Sequence, residues 1–215
     1  MKKKRKITEI KIKDSNHLKR LVYIDNNFFI ETDDIIVSEM DLFEGKIVSE
    51  NIYSSILQKT LLKKAKNDAI RFLSYRARSE WEIVNKLKNK NYPQPVIINV
   101  INWLKENDFI NDINFSHMWI KNKLENNPIG RFKIKSELKN KGIDNNIIEK
   151  TIAKFLPNDD DELKLAYQLI KKKNDSLKLK NIELEHKKII NLLKSRGFSY
   201  NVISRIYNEY NSDAF

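Results

Sequence analysis

The sequence predicts a mainly α-helical protein built from three tandem three-helix repeats, which form an elongated curved array behind a small β-hairpin-containing N-terminal module. A pattern of two helices joined at a tight corner, AIRFLSYRARSEWEIVNKL at residues 69–87, returns twice further along the chain. The spacing from the third helix of one copy to the first helix of the next barely changes. The spacing from the first helix to the second helix within a copy grows from one copy to the next. Stacked repeats behave in this way, because they tolerate insertions within a unit and keep the joint between units.

The N-terminal segment follows a different hydrophobic period from the rest of the chain. Two β-forming runs flank an Asp-Asn-Asn turn within residues 21–30, and such Asx residues tolerate the positive φ angles of a hairpin turn. A short helix is expected at residues 32–42 and an edge strand at 45–48, and Ser49 is expected to cap a helix that runs toward the first repeat. The predicted boundaries are 1–60 for the N-terminal module and 61–110, 111–157 and 158–215 for the repeats.

Each repeat is recognised by equivalent residues on its helices. Ser79 and Glu82 have the spacing of a capping box, which predicts the start of the second helix. The residues that mark the copies are Ala69, Ser116 and Ala166 on the first helix, Ile83/Leu87, Ile134/Leu138 and Ile189/Leu193 on the second, and Asn91, Gly142 and Gly197 at the left-handed cap that ends it. The third helix is expected to pack through Val96, Ile97, Ile101 and Leu104, then Ile147, Ile148, Ile152 and Phe155, then Val202, Ile203, Tyr207 and Tyr210.

The charge balance is strongly basic. Lysine and arginine number 41 against 29 acidic residues, which gives a net charge of +12. Such an excess favours polyanionic partners such as nucleic acid or an acidic protein surface. The alternative is that many lysines, in a chain rich in Lys, Asn and Ile, are ordinary solvated positions on helix faces. We expect a cytoplasmic protein with no membrane partner, since the basic N-terminus is followed by polar residues and no apolar run approaches about 20 residues.

The sequence offers little for catalysis. Its four glycines are scattered, its three histidines lie in separate modules, and it has no cysteine. A phosphate-binding loop, a metal-ligand spacing and a nucleophile motif are therefore all missing. We expect no enzymatic activity, no cofactor and no metal site, and we interpret Asp159–Glu162 as the charged first turn of a helix.

Three stretches of the chain resemble the RecX regulatory proteins of bacteria: LSYRARSEWEIVNKLKNKNY, WLKENDFINDINF and GRFKIKSELKNKGI, which begin at Leu73, Trp103 and Gly130. Asn91 replaces the usual glycine, Ser116 replaces alanine, and residues 171–185 form an unusual insertion. The resemblance implies binding to the RecA recombinase filament on single-stranded DNA. It also implies that the protein modulates the filament, most often by suppressing strand exchange, ATP hydrolysis and cleavage of the LexA repressor.

The candidate contact residues are basic side chains near the corners, together with one tryptophan. Arginine binds phosphate or carboxylate with two parallel hydrogen bonds. The set comprises Arg71, Arg76, Arg78 and Trp81 at the first corner, Lys123 at the position of Arg76 in the second copy, Arg131, Lys133 and Lys135 at the second corner, Lys187 and Lys188 at the third, and two repeated positions, Lys88/Lys139/Lys194 and Lys90/Lys141/Arg196.

Each of these candidates has a structural alternative. Arg76 would instead pair with Glu80 or Glu82, and the repeated lysines would complement helix dipoles. Trp81 would pack against the preceding helix, whereas Trp103 and Trp119 are expected in the core.

Three functions are consistent with the sequence. The first is a modulator of the recombinase filament. The second is a sequence-independent DNA-binding protein, active on single-stranded and also duplex DNA, which acts by competing for DNA. The third is a monomeric helical scaffold that contacts another acidic protein.

Overall fold

The computed structural model describes residues 5–178 and 186–212, and within them the chain forms an antiparallel sheet followed by helices. The strands are β1 (Arg5–Lys13), β2 (Asn16–Ile24), β3 (Asn27–Asp33) and β4 (Ile47–Val48). The helices are α1 (Asp34–Glu39), α2 (Glu50–Leu73), α3 (Glu80–Lys88), α4 (Gln94–Glu106), α5 (Asp112–Asn126), α6 (Arg131–Lys139), α7 (Asn145–Phe155), α8 (Asp159–Lys178), α9 (His186–Ser195) and α10 (Tyr200–Ser212). The predicted mainly helical fold, with its N-terminal hairpin and its three-helix repeats, is confirmed.

The predicted hairpin joins β2 to β3. Ile24 pairs with Asn27, which leaves Asp25 and Asn26 as a two-residue turn with φ angles of 50° and 62°. Positive φ at both central residues matches the right-handed twist of the strands. The strand order is β3-β2-β1-β4, and β4 pairs with the start of β1, as the predicted edge strand requires.

The helix α1 is shorter than the predicted span of residues 32–42. It ends at Glu39, and Asp41 has a φ of 48°, a conformation that cannot continue a right-handed helix. The module's core includes Ile7, Val22 and Val48 from the sheet, and Ile56 of α2 packs into the same cluster.

The long helix α2 starts at the predicted cap, where the Ser49 hydroxyl accepts a hydrogen bond from the Ile52 amide at 3.4 Å. It runs through residue 60 without a break and ends at Leu73. Arg76 therefore lies beyond α2 and is exposed, so it does not share a helix face with Ala69 as the repeat spacing predicts. The chain divides into two compact units, Met1–Arg76 with Ile83–Asn107 and Ala77–Glu82 with Asp108–Phe215.

The second helix of every copy ends in the same cap. The φ angle is 59° at Asn91, 73° at Gly142 and 71° at Gly197, which confirms the predicted left-handed positions. The two amides that follow each helix bond back to it in the Schellman pattern. These bonds are Asn91–Lys88, Gly142–Lys139 and Gly197–Lys194 at 2.8–3.0 Å, and Tyr92–Leu87, Ile143–Leu138 and Phe198–Leu193 at 3.2 Å.

The third helix of the last copy differs from its prediction. Ile206 is fully buried and Tyr207 is half exposed, so Tyr207 is not a core residue. The equivalent residues Val100, Thr151 and Ile206 are all buried. The sequence pattern concealed this position because the polar Thr151 interrupts it, although its hydroxyl is satisfied by the Ile147 carbonyl at 2.6 Å. The side chain of Tyr210 and residues 179–185 of the 171–185 insertion lie outside the described part of the chain.

Trp103 and Trp119 are half-buried at the edges of their copies. Lys66 Nζ lies 4.2 Å from the centre of the Trp103 ring, and Lys123 Nζ lies 5.0 Å from that of Trp119. Trp119 packs against the core of the second copy. The predicted core positions are thus partly correct, since both residues are half-buried and each ring lies close to a lysine ammonium group.

Candidate functional site

Within the second compact unit, Ser79–Glu82 contact the end of α6. Ser79 and Glu82 form the predicted capping box, with reciprocal bonds of 3.2 Å between each side chain and the other residue's amide. The Ser79 hydroxyl also donates to the Lys141 carbonyl at 2.7 Å. Trp81 lies directly against Gly142, where an added Cβ would overlap the tryptophan Cβ and Cγ. The capping box therefore begins α3 and, through the Ser79 hydroxyl, also binds the chain at the end of α6.

The same joint recurs between α6 and α9. Gly130, at the position of Ser79, donates its amide hydrogen to the Arg196 carbonyl at 3.0 Å. The Phe132 amide donates to the Gly197 carbonyl at 3.1 Å. The start of α6 thus rests on the end of α9, so the positive end of one helix dipole meets the negative end of the next.

Carboxylates from the following first helix complete both joints. Asp112 of α5 accepts a hydrogen bond from the Glu80 amide at 2.9 Å. Glu162 of α8, which is fully buried, accepts from the Arg131 amide at 3.0 Å, the Arg131 Nε at 2.8 Å and the Ser199 amide at 3.1 Å. Glu162 therefore caps α6 and α10, a role that its position in an acidic first turn did not indicate.

Many of the candidate cations are engaged within the chain. Lys90, Lys141 and Arg196, which share one repeat position, contact Asp68, Glu82 and Asn127 respectively. The remaining engaged cations are Lys123 with Glu137 at 3.0 Å, Lys135 with Glu149, and Arg131 with both Glu162 and Asp159. These side chains support the fold, whatever further contacts they make.

Lys90 belongs to a small polar cluster in the first unit. Asp68 accepts from Lys90 at 2.6 Å and from the Tyr92 hydroxyl at 2.8 Å. Burial, followed by the hydrogen bond to Asp68 and its negative charge, raises the pKa of Tyr92 to about 12. Burial would also raise the pKa of Asp68, but hydrogen bonds from Lys90 and Tyr92 and the charges of Lys90 and Arg71 outweigh it and lower that pKa. The cluster ties the cap of α3 to α2.

Other candidate cations stay exposed and, within residues 5–178 and 186–212, form no ion pair. This group consists of Lys88, Lys133, Lys139, Lys187 and Lys194. Lys88, Lys139 and Lys194 occupy one repeat position, in the last turn of α3, α6 and α9. The two repeated basic positions therefore differ, because one is engaged in every copy and the other is free in every copy.

The arginines of the first corner are not a set of unattached charges. Arg71 lies exposed in the last turn of α2, and its charge contributes to the lowered pKa of Asp68. Arg76 is exposed and Arg78 half-buried, and each of them has an interaction partner within the chain, as does Lys188. The arginines of this corner therefore already take part in interactions within the chain.

Two aromatic rings protrude at the joints. Trp81 is 49% exposed and Phe132 is 60% exposed. Both are the second residue of their helix, and 51 positions separate them, as they separate Ile83 from Ile134. Sequence reasoning singled out Trp81 but missed Phe132, which the repeat offset would have found. Trp81 packs on Gly142 of the next copy, whereas a contact with the preceding helix was expected.

No group of three or more His, Asp or Glu side chains in the described part of the chain could hold a metal ion. In the same residues, no helix is both long and apolar enough to cross a membrane.

Comparison with known proteins supplies the family. Models of the first, second and third three-helix domains of RecX match residues 65–104, 111–152 and 159–207. A regulatory protein RecX from Listeria welshimeri is 30% identical over 201 residues, covering 92% of this chain and 72% of that relative. Another from Clostridioides difficile is 29% identical over 203 residues, or 94% of both chains.

Solved structures agree with this assignment. A crystal structure of regulatory protein RecX matches with a TM-score of 0.68 at 22% identity, covering 95% of this chain and 99% of the other. RecX from Lactobacillus salivarius matches with a TM-score of 0.59 at 28% identity, covering 70% of this chain and 97% of the other. With all three domains matched in order and relatives matched over most of their length, this chain belongs to the RecX family of regulatory proteins.

Proposed function

We propose that this protein binds the RecA filament on single-stranded DNA and inhibits its recombination, ATPase and co-protease activities. Membership of a family of regulatory proteins supports the regulatory part of the proposal. The observation that carries the contact is the free lysine that every copy presents at the same place, Lys88, Lys139 and Lys194. A filament repeats its surface from protomer to protomer, so a partner with one equivalent cation per copy suits it.

A second function has support from the net charge of +12. A sequence-independent DNA-binding protein would also carry free lysines, and it would inhibit the recombinase by removing the single strand. The two functions differ in stoichiometry, because competition for DNA requires enough protein to cover the DNA.

The decisive experiment follows ATP hydrolysis by the host recombinase on single-stranded DNA while this protein is added. The DNA is held far above the amount that the protein could cover, and binding to bare DNA is measured in parallel. Inhibition at protein levels that leave the DNA uncovered is expected. Inhibition that disappears when DNA is in excess would favour the competition mechanism instead.

A charge-matched pair of variants tests the repeated lysines. The triple variant Lys88→Gln, Lys139→Gln, Lys194→Gln is expected to lose most of the inhibition. The control triple variant Lys121→Gln, Lys150→Gln, Lys171→Gln removes the same charge from other exposed positions and is expected to keep it. Equal losses in both variants would mean that total charge matters and the repeated position does not.

A further inference from the structure

We propose that Trp81 and Phe132 are stacking platforms for the bases of a single nucleic-acid strand, and that the free lysines beside them bind its phosphates. This inference rests on the proposed function, which places the protein on single-stranded DNA. It deepens that function because it names the residues that contact the strand. Proteins that bind single strands combine aromatic rings, on which bases stack, with a basic groove that follows the backbone.

The position of the rings is the first argument. Each ring stands at a joint where the start of one second helix meets the end of the next, and about half of each residue stays in solvent. Trp81 packs on the Gly142 cap, and at the other joint the backbone and Cβ of Lys133, next to Phe132, lie against the Gly197 cap. A ring on or beside a close-packed cap has little side-chain freedom to lose on binding, which suits stacking.

The charge around the rings is the second argument. The Gly142 amide under Trp81 donates to the Lys139 carbonyl at 2.9 Å, so free Lys139 is within one helical turn of that ring. At the other joint the Gly197 amide donates to the Lys194 carbonyl at 3.0 Å, and free Lys133 directly follows Phe132. Two of the acids at the joints are paired with cations, since Glu82 contacts Lys141 and Glu162 contacts Arg131.

The spacing of the rings is the third argument. Trp81 lies on Gly142, three residues beyond the end of α6, and Phe132 is the second residue of α6. The helix from Phe132 to Lys139 rises about 10 Å at about 1.5 Å per residue, and the cap adds to it, so the attachment points of the rings lie on the order of 10–15 Å apart. At about 3.4 Å per stacked nucleotide, roughly three to four nucleotides span this distance, at the lower end of the site sizes of single-strand-binding proteins.

A nucleic acid fits this surface better than a protein does. A protein anchor residue usually sits among neutral contacts that exclude water. Here the neighbours include exposed lysines with no ion pair in the described part of the chain, Lys139 near Trp81 and Lys133 beside Phe132. In the third copy the equivalent residue is the exposed Lys187, so the basic character continues where the ring is absent.

The test measures binding of fluorescein-labelled dT12 without recombinase, over a range of salt concentrations. Trp81→Leu keeps an apolar side chain on the Gly142 cap, Phe132→Leu keeps one at the second joint, and both remove the ring. Each is expected to weaken binding about tenfold and to leave the salt dependence unchanged. Lys139→Gln and Lys194→Gln are each expected to make the log–log salt slope shallower by about 0.7. Phe28→Leu, which alters an exposed ring in the N-terminal sheet, is the control and should bind normally.

A second measurement needs no destabilising variant. Binding of unlabelled dT12 should quench the tryptophan fluorescence of the wild type, and Trp81→Phe should lose the quenching while it keeps most of the affinity. Normal dT12 affinity in both leucine variants would overturn the proposal and would mean that the rings have only a structural role at the joints. Loss of filament binding with unchanged dT12 affinity would also overturn it, in favour of a protein contact. Ring-dependent dT12 binding without any effect on the recombinase would uphold this proposal and refute the proposed function.

Discussion

Asn91 departs from the glycine that the other two copies carry at the end of their second helix, and the joints explain why it can. Gly142 and Gly197 have positive φ angles and are also touched by the preceding copy, by Trp81 and by Lys133. Asn91 has the positive φ angle alone, because its copy is the first, and its side chain is exposed. Asparagine tolerates the left-handed conformation but cannot fit a close backbone contact.

This difference predicts unequal effects of exchanging the two residue types. Gly142→Asn keeps a residue that accepts positive φ but places a Cβ inside the Trp81 side chain, so we expect a loss of about 1–3 kcal/mol in unfolding free energy. Asn91→Gly should change it by no more than about 0.5 kcal/mol. Urea denaturation at constant m-value measures both. Equal stability of Gly142→Asn and the wild type would show that the joint is loosely packed.

The pair of Tyr92 and Asp68 makes part of the stability depend on alkaline pH. The folded pKa of Tyr92 is about 12 against an ordinary 10.0, so the folded state favours the neutral phenol. The stabilisation from this group is complete below pH 10 and is lost as the pH rises from 10 to 12. The difference in unfolding free energy between the wild type and Tyr92→Phe should therefore be constant below pH 10 and shrink above it.

Absorbance titration of the phenols checks the same prediction directly. Subtracting the Tyr92→Phe curve from the wild-type curve isolates one tyrosine of the eight. We expect a midpoint near 12, and a midpoint near 10 would contradict the buried hydrogen bond to Asp68.

Among the elements, α8 has a larger structural role than its sequence indicates. Its buried Glu162 holds the starts of α6 and α10 together through three hydrogen bonds. Removing one member of a buried ionic network leaves the others without partners, which costs about 3–5 kcal/mol. Glu162→Ala should destabilise the protein by an amount of this order.

The neighbouring acid provides the control for Glu162. Asp160 is exposed and pairs with Arg205 at the surface, so Asp160→Ala should cost at most about 1 kcal/mol. Thermal unfolding followed by circular dichroism compares the two variants with the wild type. Similar melting temperatures for both would mean that Glu162 is solvated and that α8 does not hold the joint.

Short-range sequence patterns predicted the helices, caps and turns well, but they did not predict the contacts between these elements. The capping box at Ser79, the left-handed caps and the Asp-Asn turn each depend on residues within a few positions of one another. The partners of Glu162 are 31 and 37 positions away, and no local pattern distinguishes it from the acids beside it. The candidate cations show the same limit, because contacts with the distant Asp68, Glu82 and Asn127 separate Lys90, Lys141 and Arg196 from Lys88, Lys139 and Lys194.

For the whole molecule, the net charge of +12 overstates how much of the basic surface is available to a partner. Five of the predicted contact cations, Lys90, Lys123, Arg131, Lys135 and Lys141, form ion pairs within the chain. Binding to DNA through the joints should thus be less sensitive to salt than the composition suggests. Most of the affinity for a single strand would come from stacking on two rings and from a few phosphates.

This argument gives a number for the salt dependence. If Lys133, Lys139 and Lys194 are the principal phosphate contacts, the log of the dT12 association constant should fall against log salt with a slope of about −2, at about −0.7 per phosphate. Binding to the recombinase-coated strand should fall less steeply, because protein contacts add affinity without releasing counterions. Fluorescence anisotropy between about 50 and 200 mM salt measures both slopes. A slope of about −6 or steeper on bare dT12 would mean that many more cations contact the strand, and equal slopes on bare and coated DNA would refute a separate contact with the recombinase.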